Sequence, residues 1–199
     1  MTEVLPTLPV ARSELILGGQ RSGKSRRAEL LARSWLAQSP RHAAVLIATA
    51  QPWDDEMRTR IARHQLDRAE RVPGMRTREE PLALAETLTQ CSNPHTLVVV
   101  DCLTLWLTNQ LMPAENNASK MPLPHDIHGP VAMLLGAITC AAGPVVLVGN
   151  EIGLGVIPMG RETRDFVDAL GRLNQDVAAV CERVTLMVAG LPLTLKAAL

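Results

Sequence analysis

The chain has 199 residues, 47% hydrophobic and 20% charged, the balance of one globular domain large enough to bury a proper core. Lys and Arg number 20, as do Asp and Glu, so the basic excess that marks a nucleic-acid partner is missing. Four scattered cysteines without a CxxC pair argue against a disulfide framework or a zinc site and fit a reducing compartment.

Met1 to Arg12 hold no apolar run of signal-peptide length, and no stretch reaches the ~18 apolar residues of a membrane span. A cytoplasmic location without a membrane span is therefore expected. Residues 1–13 read as an N-terminal extension and 14–199 as a single domain. Three Trp, one Phe and no Tyr leave little material for stacking on bases.

In chain order, Glu14–Gly18 (ELILG) reads as a buried strand and Lys24–Gln38 as a helix. Ala43–Thr49 is a second strand. Asp54–Arg71 is a solvated helix with acids at its start and Met57 and Ile61 on an apolar stripe. Pro81–Gln90 is a helix with proline in its first turn. Thr96–Val100, ending on Asp101, is a third strand, and Leu103–Leu111 a helix. Met112–Pro130 carries four of the fourteen prolines and is expected to be a long surface loop. Val131–Ala142 is a helix, Pro144–Gly149 a fourth strand, Arg161–Glu182 a long helix with apolar residues every three or four, and Val184–Ala189 a fifth strand.

Strands that are apolar throughout, alternating with helices, predict an α/β fold: a mainly parallel sheet covered by helices on both faces. Ligands of such sheets bind beyond the carboxyl ends of the strands. There the sequence places Gly18–Ser25, Thr49–Gln51, Asp101 and Asn150–Glu151.

Gly18-Gly19-Gln20-Arg21-Ser22-Gly23-Lys24-Ser25 matches GxxxxGK[ST] between a strand and a helix, the context a phosphate-binding loop needs. Glycines let backbone N–H groups turn around phosphate oxygens, and the helix start adds partial positive charge. In such a loop Lys24 reaches the β and γ phosphates and Ser25 ligates Mg²⁺. Asp101 ends an apolar strand, where such proteins place the acid that holds Mg²⁺, through water in many cases. A chance Gly-rich turn and a helix-capping Asp are the plain alternatives. His64 stands among Arg60, Arg63 and Arg68 on the second helix. Either a solvated basic face or a triphosphate site with a nucleophilic imidazole fits that pattern. The sequence has no NKxD, GxSxG, HExxH or deaminase motif.

GGQRSGKS, IATAQPWDDEMRTRIARHQ, VVVDCLTLWLTN, NEIGLGVIP and GRLNQ together resemble one family, from about Leu15 to Lys196. It is the bifunctional adenosylcobinamide kinase / adenosylcobinamide-phosphate guanylyltransferase family of cobalamin biosynthesis. The resemblance implies a RecA-like P-loop fold and a homotrimer with active sites near subunit interfaces. It implies that ATP or GTP phosphorylates adenosylcobinamide. GTP then gives GMP to a histidine, and GMP passes to adenosylcobinamide phosphate. That histidine matches His64. Nucleotide contacts carry over to Gly18, Gly19, Gln20, Arg21, Ser22, Gly23, Lys24 and Ser25. They also carry over to Thr49, Ala50, Gln51, Gln65, Leu66, Asp67, Arg68, Glu79 and Asp101. The family often has Arg-Pro soon after the histidine; here the place reads Arg68-Ala69. A single-activity P-loop kinase or guanylyltransferase, and a RecA-like ATP-driven binding module, are the competing readings.

Overall fold

A computed structural model describes residues 8–52, 54–112 and 127–197, without the side chains of Glu56 and Arg60. The described elements include every expected strand and helix and two further strands. They are β1 (Ser13–Gly18), α1 (Lys24–Gln38), β2 (Ala43–Ala48), α2 (Asp55–Arg71), β3 (Arg76–Glu79), α3 (Leu84–Cys91) and β4 (Thr96–Asp101). After them come α4 (Leu103–Leu111), α5 (His128–Cys140), β5 (Val145–Val148), α6 (Arg161–Val180), β6 (Arg183–Val188) and β7 (Leu191–Lys196). Most of the expected loop at Met112–Pro130 lies outside the described residues.

The strands form one sheet in the order β3-β2-β4-β5-β1-β6-β7. Every pairing is parallel except that of β6 with β7. The strand that ends in the phosphate loop, β1, is separated from the one that ends in Asp101, β4, by β5 alone. This is the RecA-like arrangement of a P-loop fold, as expected.

The central strands are apolar throughout because both of their faces are covered. On one face Leu15, Leu17, Val98, Val100 and Leu147 pack with Leu88, Trp106, Leu134, Leu173 and Val177, from α3, α4, α5 and α6. On the other, Ile16, Leu46, Val99 and Val146 pack with Ala28 and Leu31 of α1 and with Val72, just past α2. A fully buried leucine contributes about 1.5–3 kcal/mol, so these two layers supply most of the stabilisation. Among the described residues no helix is long and apolar enough to cross a membrane.

Two strands escape sequence reading. β3 is exposed along its whole length, so it carries no apolar signal; it adds an edge to β2 through backbone pairing, and Arg78 donates to Gln90 of α3 (2.7 Å). β7 follows a two-residue turn in which Ala189 and Gly190 both have positive φ, 51° and 79°. That geometry favours the right-handed twist of a hairpin, but an Ala-Gly pair does not advertise it. α5 begins three residues earlier than expected because Pro130 sits in its first turn, where a missing N–H costs nothing. α3 begins three residues later than expected. Glu80 accepts the N–H groups of Leu82 (3.0 Å) and Ala83 (2.8 Å) in the turn before it. These bonds, the one from Leu82 first, hold the Glu80 carboxyl below its usual range.

One charged group is sealed inside the sheet. Glu14 of β1 has no exposed surface. It accepts from Arg27 Nε (2.9 Å), Thr185 Oγ1 (2.9 Å) and Arg183 Nη1 (3.3 Å), which ties α1, β1 and β6 together. Glu14→Gln leaves two largely buried guanidinium groups without their counter-charge, and breaking a buried pair in this way costs about 3–5 kcal/mol. The urea-unfolding midpoint of the variant should fall accordingly. A loss below about 0.5 kcal/mol, the scatter of surface substitutions, would show that the pair contributes nothing net.

Candidate functional site

The loop Gly18–Ser25 turns tightly at the carboxyl end of β1. Gly18 takes φ +152°, and a Cβ there would lie 2.5 Å from the Met187 carbonyl oxygen and 2.6 Å from Ser22 Oγ. Gly23, at φ +100°, starts α1, a conformation other residues adopt only with strain. Arg21 takes φ 55°. The loop is braced on both sides. The Gly190 N–H of the β6–β7 turn donates to the Ser22 carbonyl (3.1 Å), and the Glu151 N–H donates to the Gly18 carbonyl (3.1 Å).

Lys24 is 8% exposed, and its Nζ donates to the Gly19 carbonyl at 2.6 Å. The ammonium is thus folded back across the loop, where phosphate oxygens would lie. Ser22 Oγ is buried with no hydrogen-bond partner among protein atoms, a polar atom aimed into the same loop. No acid lies in the first turn of α1, so nothing on the helix itself offsets its positive end.

Register places Glu79, Ala48, Asp101 and Val148 side by side at the ends of β3, β2, β4 and β5. Thr49 is fully buried just beyond β2. Its hydroxyl donates to the Cys102 carbonyl (2.7 Å) and accepts from the Cys102 N–H (2.9 Å). Asn109 donates from Nδ2 to the Thr49 carbonyl (2.8 Å). The turn through Thr49, Ala50 and Gln51 is therefore locked to the segment beyond Asp101. Burial pushes the Cys102 thiol up to about 11, with Asp101's charge adding to it and Lys24 opposing. Cys102 is an inert wall of the site.

α2 forms the remaining side. Its N-cap Asp54 accepts the Met57 N–H. Met57, Ile61, His64, Arg68 and Val72 are partly or fully buried, while Arg63, Gln65, Leu66 and Ala69 are exposed. The spacing of three and four puts His64, partly buried, on the same side of α2 as Met57, Ile61 and Arg68. Arg68, one turn further on, is 9% exposed. Burial lowers its pKa, against the charges of Glu29 and Asp101, which raise it. Arg68 thus brings the inward face of α2 to the strand end that carries Asp101. Gln65 and Leu66 are exposed. Asp67 is half-buried and accepts from Arg71 (3.3 Å).

Two positioning residues lie within the motifs that carry the resemblance but were not singled out from the sequence. Thr104 Oγ1 accepts the Asn150 N–H (2.9 Å), and Asn174 Nδ2 donates to the Asn150 carbonyl (3.1 Å), so α4 and α6 hold the segment beside the phosphate loop. Polar residues within apolar helices read as helix faces until tertiary contacts are known. Beyond Glu151 the chain runs out as an exposed apolar loop, with Leu154, Val156, Ile157 and Met159 between 78% and 96% exposed. A cleft of about 810 Å³ lies between this loop and α6.

Residues 14–195 match the family described as cobinamide kinase / cobinamide phosphate guanyltransferase. The chain is 49% identical over 184 residues to the bifunctional adenosylcobalamin biosynthesis protein CobP of Pseudomonas aeruginosa, covering 92% of this chain and 96% of that one. It is 36% identical over 189 residues to the corresponding CobU of Escherichia coli, covering 92% and 98%. Among solved structures it is similar to the flagellar accessory protein FlaH of Methanocaldococcus jannaschii. That match has a TM-score of 0.50 at 10% identity, over 96% of this chain and 80% of that one. A protein of Pyrococcus horikoshii OT3 gives a TM-score of 0.54 at 11% identity, over 96% and 89%. At such identities these two share the fold alone.

Proposed function

The chain belongs to the cobinamide kinase / cobinamide phosphate guanyltransferase family, and from that premise we propose how its residues divide the two reactions. The phosphate loop serves both. Lys24 and the start of α1 hold the triphosphate of ATP or GTP, and charge developing on the transferring group is neutralised there. The acceptor of the first transfer is the hydroxyl of adenosylcobinamide. In the second reaction His64 Nε2 or Nδ1 attacks the α-phosphorus of GTP. A P–N bond forms, the bond to pyrophosphate breaks, and the imidazole proton is released. The phosphate of adenosylcobinamide phosphate then displaces histidine and takes the GMP.

The observation that carries this reading is the inward stripe of α2. His64 lies one turn from Arg68, and the Arg68 guanidinium feels the Asp101 carboxylate at the end of β4. On this reading the imidazole, on the same side of α2 as Arg68, would meet a nucleotide held in the phosphate loop. Arg68 and Lys24 supply the cations a nucleotidyl transfer needs. Incubation with α-labelled GTP should leave GMP on the protein in an acid-labile bond typical of a phosphoramidate. An unlabelled protein that still makes adenosylcobinamide-GDP would mean direct transfer without a histidine intermediate.

Mg²⁺ fits the donors present. Among the described residues no cluster of three His, Cys, Asp or Glu exists. That suits an ion that keeps water and phosphate ligands and takes only one or two from protein. Ser25 and Asp101 would hold it, and it would supply positive charge against the triphosphate. Asp101→Asn should raise the Mg²⁺ concentration for half-maximal kinase rate by about 10-fold, the scale of losing one charged ligand interaction. An unchanged titration would remove Asp101 from the metal's surroundings.

The cytoplasm is the proposed location, where the nucleoside triphosphates that both reactions use are supplied. A homotrimer is the proposed assembly. The exposed apolar side chains of the 152–159 loop and of β7 are surfaces that association would cover. Light scattering should give three chain masses, and a monomer at assay concentration would refute it.

A further inference from the structure

Glu29 lies in the second turn of α1, five residues after Lys24, and is 7% exposed. Its Oε2 accepts from Arg71 Nη1 at 3.0 Å. The Arg68 guanidinium also lies within reach of its charge. One carboxylate on the phosphate-loop helix therefore faces two arginines on the helix that carries His64.

The two helices need such a device. α2 is strongly polar, with Met57, Ile61 and the neighbouring Val72 its main apolar contacts on the inward side. So thin a stripe fixes rotation about the helix axis weakly. Turning α2 by one residue, about 100°, would carry His64 from the inward stripe to solvent. His64, Arg68 and Arg71 follow at four and three residues, so they share one face. Whatever holds the two arginines holds the imidazole. Along α1, Glu29 stands about 7.5 Å from Lys24, and along α2, Arg71 stands about 10 Å from His64. The ion pair thus ties the lower parts of two helices whose upper parts carry the phosphate-binding lysine and the nucleophile.

We propose that Glu29 is a positioning residue for guanylyl transfer, holding Arg71 and Arg68 so that His64 faces a nucleotide bound in the loop that begins α1. The inference rests on His64 being the nucleophile. It assigns no contact between Glu29 and substrate. The effect therefore belongs to the rate of the first displacement, and GTP affinity should change little.

The experiment is single-turnover labelling with α-labelled GTP at saturating concentration, paired with kinase turnover on adenosylcobinamide in the same preparation. Glu29→Gln should slow labelling about 10-fold at saturation, the effect of losing a coupling of ordinary size between contacting groups. Kinase turnover should fall by a clearly smaller factor. Arg71→Gln should reproduce the defect, and the double variant should be no slower than either single one. Glu29→Asp, which keeps the charge, should recover part of the rate. If Glu29→Gln does not fold, Arg71→Gln, at a 45% exposed side chain, carries the test. Unchanged labelling, equal losses in labelling and kinase turnover, or additive defects in the double variant would overturn the proposal. Wild-type protein that forms no adduct would overturn the His64 reading and this inference together. Wild-type labelling with an undisturbed Glu29→Gln variant would overturn this inference alone.

Discussion

Lys24→Ala abolishes both activities: kcat for phosphorylation of adenosylcobinamide and for formation of adenosylcobinamide-GDP each fall by about 10²–10³ or more, the effect of deleting one preorganised electrostatic donor. The described residues contain one phosphate loop, and both reactions begin with a nucleoside triphosphate. The Lys24 ammonium already lies across that loop, 2.6 Å from the Gly19 carbonyl. It needs only to exchange that oxygen for phosphate oxygens, with little reorganisation. Removing it leaves the loop's shape to Gly18 and Gly23 and to the braces from Gly190 and Glu151. The variant should therefore keep its fold, with an unfolding midpoint near that of the wild type. Steady-state assays of the two reactions on one preparation check the result. Loss of one activity with survival of the other would require a second nucleotide site that does not use Lys24.

How much of this was legible in the sequence follows from where each feature gets its energy. The central strands are buried on both faces, so their apolar runs are visible without neighbours, and β1, β2, β4, β5 and β6 fall within a residue or two of expectation. The phosphate loop is equally local: its glycines answer to backbone angles and its lysine to position at a helix start. β3 and β7 are held by backbone pairing at the edges of the sheet, and backbone hydrogen bonds leave little trace in side-chain chemistry. Which side of α2 faces the domain depends on tertiary packing. Met57 and Ile61 hinted at that side, and the burial of Arg68 marks it, with His64 one turn away. Glu29 was invisible for the same reason. A lone acid in an amphipathic helix looks solvated until the arginines opposite it are known.

On the proposed reading His64 is what a bifunctional enzyme has and an ordinary P-loop kinase lacks, and His64→Ala tests it most directly. Direct in-line phosphorylation of a hydroxyl needs positioning and charge neutralisation, not a histidine nucleophile. Guanylyl transfer in two displacements needs a group that can bond to the α-phosphorus and leave again. In α2 the imidazole is half-buried on the inward stripe, between Ile61 and Arg68. His64→Ala should therefore reduce GMP–protein labelling by at least about 10³-fold, toward the losses seen when a nucleophile is removed. Formation of adenosylcobinamide-GDP should fall with it. Kinase turnover should stay within about 2- to 3-fold of wild type, the ~0.5 kcal/mol scatter of substitutions away from critical contacts. The measurement is paired: acid-labile labelling and kinase rate from the same sample, with thermal unfolding as a control on the fold. Undiminished labelling would move the nucleophile elsewhere, with Arg68 and Lys24 left as binding groups. Kinase activity lost in a folded variant would give His64 a role in holding the shared nucleotide, and the division of labour between α1 and α2 would be wrong.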